Sequence, residues 1–145
     1  MNSIDFYFED VDPIQIHKKV LILHLNLLIK NELKRTGEIS VIFCSDNFLL
    51  QMNKDYLDHD YYTDIITFDY VEEDKISGDL FISLDRVRDN AKKYKTTVIH
   101  ELYRVVFHGT LHLVGYNDKS EVEQKLMKEK ENYYLELVDF NEMKL

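Results

Sequence analysis

One cysteine, one proline, four glycines and no tryptophan occur among 145 residues, and each scarcity removes a class of protein. A lone cysteine closes no internal disulfide. Cys44 ends the apolar run from Ile39 and reads as a buried, reduced thiol, which suits a cytoplasmic protein and argues against thiol catalysis. With so little glycine and proline there is no linker, repeat or low-complexity tract, and no glycine-rich loop follows a strand to cradle a nucleotide phosphate. No serine-nucleophile motif is present either. The longest apolar run, Val20 to Ile29, is interrupted by His24 and Asn26, and the acidic start MNSIDFYFEDVDP lacks the basic and apolar regions of a signal peptide. No membrane partner is expected. Positive charge is also scarce: 18 Lys and Arg against 27 Asp and Glu leave a net charge of -9, which opposes a broadly basic nucleic-acid surface. Arg86, Arg88, Lys92, Lys93, Lys95 and Arg104 nevertheless gather in one stretch, either as a local basic patch or as one solvated helix face.

What remains is 45% apolar and 31% charged, with ten Tyr and eight Phe, and predicts one soluble globular domain over 1–145 with its own core. Ile4 to Phe8 reads as an opening strand, and Pro13 fits the first turn of a helix to about Arg35, with apolar positions 16, 20, 23, 27 and 28 facing a core and Thr36-Gly37 as its stop. Strands follow at 38–44, 64–70 and 77–83, the last two as a hairpin, and a short helix capped by Ser45-Asp46 runs to about Tyr56. Helices are expected at 84–94, 97–114 and 119–138, with Thr97 capping the middle one. The order predicts an α+β fold: a small mixed four-stranded sheet with about five helices packed on it.

The chemistry lies in His108-Gly109-Thr110-Leu111-His112-Leu113-Val114-Gly115-Tyr116-Asn117-Asp118. One helical turn separates His108 from His112, so both imidazoles leave the same face and can share a cation, as in a zincin-like metal-site helix. Gly115 can reverse the chain and return Asp118 as a third ligand, with the fourth position left to water, as in a catalytic zinc site. Asp118 also fits a helix cap, but Ser120 with Glu123 can cap in its place. Zinc-peptidase motifs with this spacing carry a glutamate after the first histidine, where this chain has Gly109, so hydrolysis of peptides would lack its base. A metal-free pair of buried histidines is the plainest alternative.

The motif HGTLHLVGYND, preceded in order by TDIITFDY and SGDLFIS, resembles the YbeY family of bacterial endoribonucleases, also called rRNA maturation factors. The resemblance covers about residues 46 to 127. It implies a zinc-bound, single-strand-specific endoribonuclease, one Zn2+ per chain, acting on precursor ribosomal RNA and in ribosome quality control, with the ribosome or small-subunit proteins as partners. By position the family's ligands fall on His108, His112 and Asp118, which act in catalysis through the metal; the usual pattern has histidine at the third place and aspartate where Asn117 stands. The family's arginine in the active-site cleft falls on Leu57, and the proline before Thr63-Asp64 is replaced by Tyr62. His59, Arg86 and Arg104 are candidates to replace that arginine toward RNA, with Thr63 and Asp64 as further substrate-binding candidates and Asp64 or Asp79 as proton acceptors. Tyr61, Tyr62 and Phe68 are candidates for stacking on unpaired bases. The altered third ligand and the missing arginine leave a second expectation open, a non-catalytic ribosome-assembly module with a structural or vestigial metal site. Nickel or another divalent ion could take the place of zinc.

Overall fold

The computed structural model describes residues 3–58 and 62–143. Four strands, β1 (Ser3–Phe8), β2 (Arg35–Cys44), β3 (Ile65–Asp69) and β4 (Lys75–Ser83), form a mixed sheet in the order β1-β2-β4-β3. The first three in that order run parallel, and β3 pairs antiparallel with β4 as the expected hairpin. Among the described residues five α-helices accompany it: α1 (Lys18–Asn31), α2 (Asp46–Leu57), α3 (Leu84–Lys93), α4 (Val98–Val114) and α5 (Glu121–Glu136). The α+β architecture expected from the sequence is thus the one observed.

Alternation along β4 divides the interior. Leu80 and Ile82 join the main core with α1, α4 and α5, whereas Phe81 joins a smaller cluster with Cys44, Leu49, Ile66 and Phe68 under α2. Helix α4 is the interior element. Its Leu102, Val106, Leu111 and Leu113 are buried, and it lies close on the sheet because its own Gly109 and Gly78 of β4 sit in the contact. A Cβ on Gly109 would come within 2.6 Å of Ile65 Cδ1, and one on Gly78 within 2.8 Å of Leu113 Cδ2. The residue after the first histidine therefore points into the helix–sheet contact, which a glutamate could not enter without burying an unpaired charge.

The caps follow the sequence. Ser45, Ser83 and Thr97 accept from the backbone N–H of Phe48, Arg86 and His100, and Ser120 with Glu123 closes a capping box on α5. The exception is α1. It begins at Lys18 rather than Pro13, with His17 left-handed at φ 51° and no side-chain cap. It ends at Asn31, not at Thr36-Gly37: Leu33 turns the chain at φ 64° while the N–H groups of Leu33 and Lys34 reach the carbonyls of Lys30 and Ile29. Gly37 sits instead in β2 beside a bulge, where a side chain would strike Ser77. The buried face of α1 is Leu21, Leu25, Leu28 and Ile29; Leu23 and Leu27 face outward, a choice that a helix apolar on several sides leaves open. Among the described residues no helix is long and apolar enough to cross a membrane.

Candidate metal centre

The last two turns of α4 hold the two histidines. Gly115 ends the helix at φ 124°, a conformation costly for any residue with a Cβ, and its N–H and that of Tyr116 bond back to Leu111. The reversed chain then carries Asp118 over the imidazoles. The two Nε2 atoms lie 3.0 Å apart, and Asp118 Oδ2 lies 3.3 Å from that of His108 and 3.4 Å from that of His112. Donors about 2.0–2.1 Å from a tetrahedral cation stand roughly 3.3 Å from one another, so these three side chains can hold a metal ion. Ser120 caps α5, which leaves the Asp118 carboxylate free for that role.

Each ring is held from behind. Nδ1 of His112 lies 2.9 Å from the backbone carbonyl of Tyr116, to which it donates, and Nδ1 of His108 lies 2.6 Å from Glu131 Oε2 on α5. With Nδ1 protonated, Nε2 presents its lone pair toward Asp118, the tautomer a cation requires. Burial would lower the pKa of His108, but its hydrogen bond to Glu131 and the charges of Glu131, Asp64 and Asp118 outweigh it and raise the group above the usual histidine value. Glu131 is itself buried and is shared with Arg104, whose guanidinium also pairs with buried Glu101.

A second carboxylate supports the turn. Glu32, just past α1, accepts hydrogen bonds from Tyr116 Oη at 2.6 Å, from Tyr134 Oη, and from Lys130 Nζ at 3.2 Å. Burial raises the Glu32 pKa, yet these three donors hold it below the usual carboxylate value; Tyr134 is in turn pushed up to about 12 by burial and by Glu32. Neither Glu131 nor Glu32 was among the residues expected from the sequence. Glu131 carried a signal, an acid on the stripe Met127, Glu131, Tyr134 and Leu135 that faces the core.

Two cavities meet at Asp64, His108 and Asp118. One, of about 450 Å³, opens between α4 and α5 and includes Arg104; the other, of about 480 Å³, lies toward α2 and β3 and includes Leu57, Thr63, Thr67 and Asn117. Of the expected substrate-binding residues, Asp64 lines both cavities and Thr63 lines the second, beside Leu57. Arg104 borders the first cavity but is tied to two carboxylates. Arg86 lines neither: it is bonded to Asp46 and Asp89 under α2. Asp79 is likewise absent from both walls. Tyr62 is exposed beside Asn47, and Phe68 is packed edge-on between Tyr56 and Phe81 and serves the core. His59 and Tyr61 lie outside the described residues. Cys44 is buried and free, its thiol pushed up to about 12 mainly by burial, as its place in the strand implied.

A mixed sheet carrying a helix with two histidines and a carboxylate returned by the following turn defines a protein with a zincin-like candidate metal site. Residues 8–139 match the model of the family described as Endoribonuclease YbeY. The chain is 50% identical over 136 residues to Endoribonuclease YbeY of Parabacteroides distasonis, covering 94% of this chain and 96% of the relative. It is 58% identical over 105 residues to that of Phocaeicola vulgatus, covering 72% and 76%. The solution structure of TM1509 from Thermotoga maritima superposes with a TM-score of 0.66 at 30% identity, over 92% of this chain and 87% of that one. The chain belongs to the endoribonuclease YbeY family.

Proposed function

We propose that this chain is a metal-dependent endoribonuclease that cleaves single-stranded RNA, with zinc held by His108, His112 and Asp118. The observation that carries the reading is the triangle of Nε2, Nε2 and Oδ2 atoms at 3.0, 3.3 and 3.4 Å, with both rings fixed through Nδ1. Zinc in such a site supplies Lewis acidity toward a phosphoryl oxygen and lowers the pKa of bound water. The chain's own residues do the rest. Glu131 and the Tyr116 carbonyl accept from Nδ1 of the two rings, which turns Nε2 of each toward the metal position. In this reading Asp64 accepts a proton near the cleaved bond, which its position in the lining of both cavities supports. The two cavities share Asp64, His108 and Asp118, which supports an unpaired strand crossing the centre from one to the other.

Its substrates are precursor ribosomal RNA and the RNA of defective ribosomes, in the cytoplasm, with the ribosome or small-subunit proteins as partners; the family membership supports this part of the reading. The net charge of -9 fits an enzyme that is brought to its RNA by such a partner rather than by a basic surface of its own. One observation favours the non-catalytic module: Leu57 replaces the expected arginine, and both Arg86 and Arg104 are neutralised by carboxylates. The test is cleavage of matched single-stranded and duplex RNA by zinc-loaded protein beside His112→Ala. Cleavage confined to the single strand and lost in the folded variant supports the enzyme; RNA left intact by the wild type sinks it.

A further inference from the structure

The cavity between α4 and α5 is built unlike a phosphate site. Its floor includes Val105 and the buried Met127, and its wall includes the Arg104 guanidinium. That group donates from Nε and one terminal nitrogen to Glu101 and from the other to Glu131, so three of its five N–H bonds are committed and its charge is more than offset by two buried carboxylates. A phosphate would meet an excess of negative charge there. What such an arginine still offers is a flat face held in one orientation, which is a platform for a planar, uncharged ring. On the rim, Gln124, Lys128 and Asn132 are exposed along one row of α5, two amides able both to donate and to accept, and one ammonium.

We propose that this cavity is a nucleobase subsite: a base next to the scissile phosphate lies against the Arg104 guanidinium, its edge met by Gln124 and Asn132, with the backbone passing Lys128. The assignment rests on the RNA reading above. The volume, about 450 Å³, is ample for one nucleoside and lies within the range of small-molecule sites. The cavity also shares His108 and Asp118 with the metal centre, so a base held in it leaves its own phosphate at the metal. The sequence offered Arg104 as a replacement for the family's arginine toward RNA; paired as it is, it meets the RNA as a base platform.

The experiment uses the full chain, zinc-loaded, and a fluorescein-labelled single-stranded RNA octamer, with a series of octamers that each carry one abasic nucleotide. Affinity is read by anisotropy and the cleaved bond by denaturing gel. Wild-type protein should lose about tenfold in affinity when the abasic position adjoins the cleaved bond, the scale expected from loss of one stacked base. The Gln124→Ala/Asn132→Ala double variant, altered only at exposed helix positions and checked by circular dichroism, should reduce that penalty to about threefold. Penalties below about twofold at every position of an octamer that binds would overturn the subsite alone, as would a penalty equal in variant and wild type. If the intact octamer neither binds nor is cleaved, the RNA reading fails and the subsite falls with it.

Discussion

Nδ1 of His108 lies 2.6 Å from a carboxylate oxygen of Glu131, a residue on another helix and enclosed by the core. The pair joins α5 to the candidate metal site and fixes which ring nitrogen is free. Glu131→Gln keeps an acceptor at that place but removes the charge that favours a protonated Nδ1. Zinc affinity should fall about tenfold, by analogy with other carboxylate–histidine pairs behind metals. Competition against a chromogenic chelator measures it, and wild-type affinity in a folded variant would show that the pair does not tune the metal.

Asp118 has two possible duties that can be separated, because Ser120 and Glu123 already close the start of α5. Asp118→Ala should bind far less than one equivalent of zinc, yet the metal-free variant should lie within about 0.5 kcal/mol of metal-free wild type in urea. Asp118→His, which puts an imidazole donor in place of the carboxylate, should keep one equivalent. Metal per chain by mass spectrometry decides both, and full zinc in the alanine variant would remove Asp118 from the ligand set.

Glu32 makes stability sensitive to acid. Its folded-state pKa is depressed below the usual 4.5, so its contribution is complete above that value and is lost as pH falls through the lower, folded one. Metal-free wild type should therefore lose melting temperature more steeply between about pH 5 and pH 3 than Glu32→Gln, which has no carboxylate to protonate. Parallel pH profiles of the two proteins would show that the cluster contributes nothing through charge.

Gly78 sets how closely α4 meets the sheet. A Cβ there would stand 2.6 Å from the backbone oxygen of Phe68, on the neighbouring strand, where relief requires backbone movement. Gly78→Ala should destabilise the protein by about 2–3 kcal/mol in chemical denaturation. A change under about 0.5 kcal/mol would mean that the hairpin yields easily.

Much of this was readable from residue order. Ser45, Thr97 and Ser120 announced helix starts because a hydroxyl caps by local geometry alone, and the β-branched run at 38–44 and the alternating segment 77–83 announced strands. His108, His112 and Asp118 were legible because one helical turn and one glycine fix their relation. The limits of α1 were not: proline at 13 permits a helix start without forcing one, and the chain turned at Leu33, where no glycine advertises a left-handed residue. Glu131 was hidden among the many charges of α5, and its partner His108 lies 23 residues back, so only the packing of α5 on α4 reveals the pair. Arg104 was visible as a cation, but its neutralisation by Glu101 and Glu131 depends on tertiary contact.

The bond from Tyr116 to Glu32 spans 84 positions of sequence and ends in the same residue whose carbonyl holds His112. A substitution at Glu32 would look like a routine change just past a surface helix, remote from every motif that marks the family. Its damage would register as slackness in a histidine it never touches. Any inventory of damaging variants drawn up from the motif outward would pass over it, and a tolerant-looking acidic position would carry the phenotype of a site mutation.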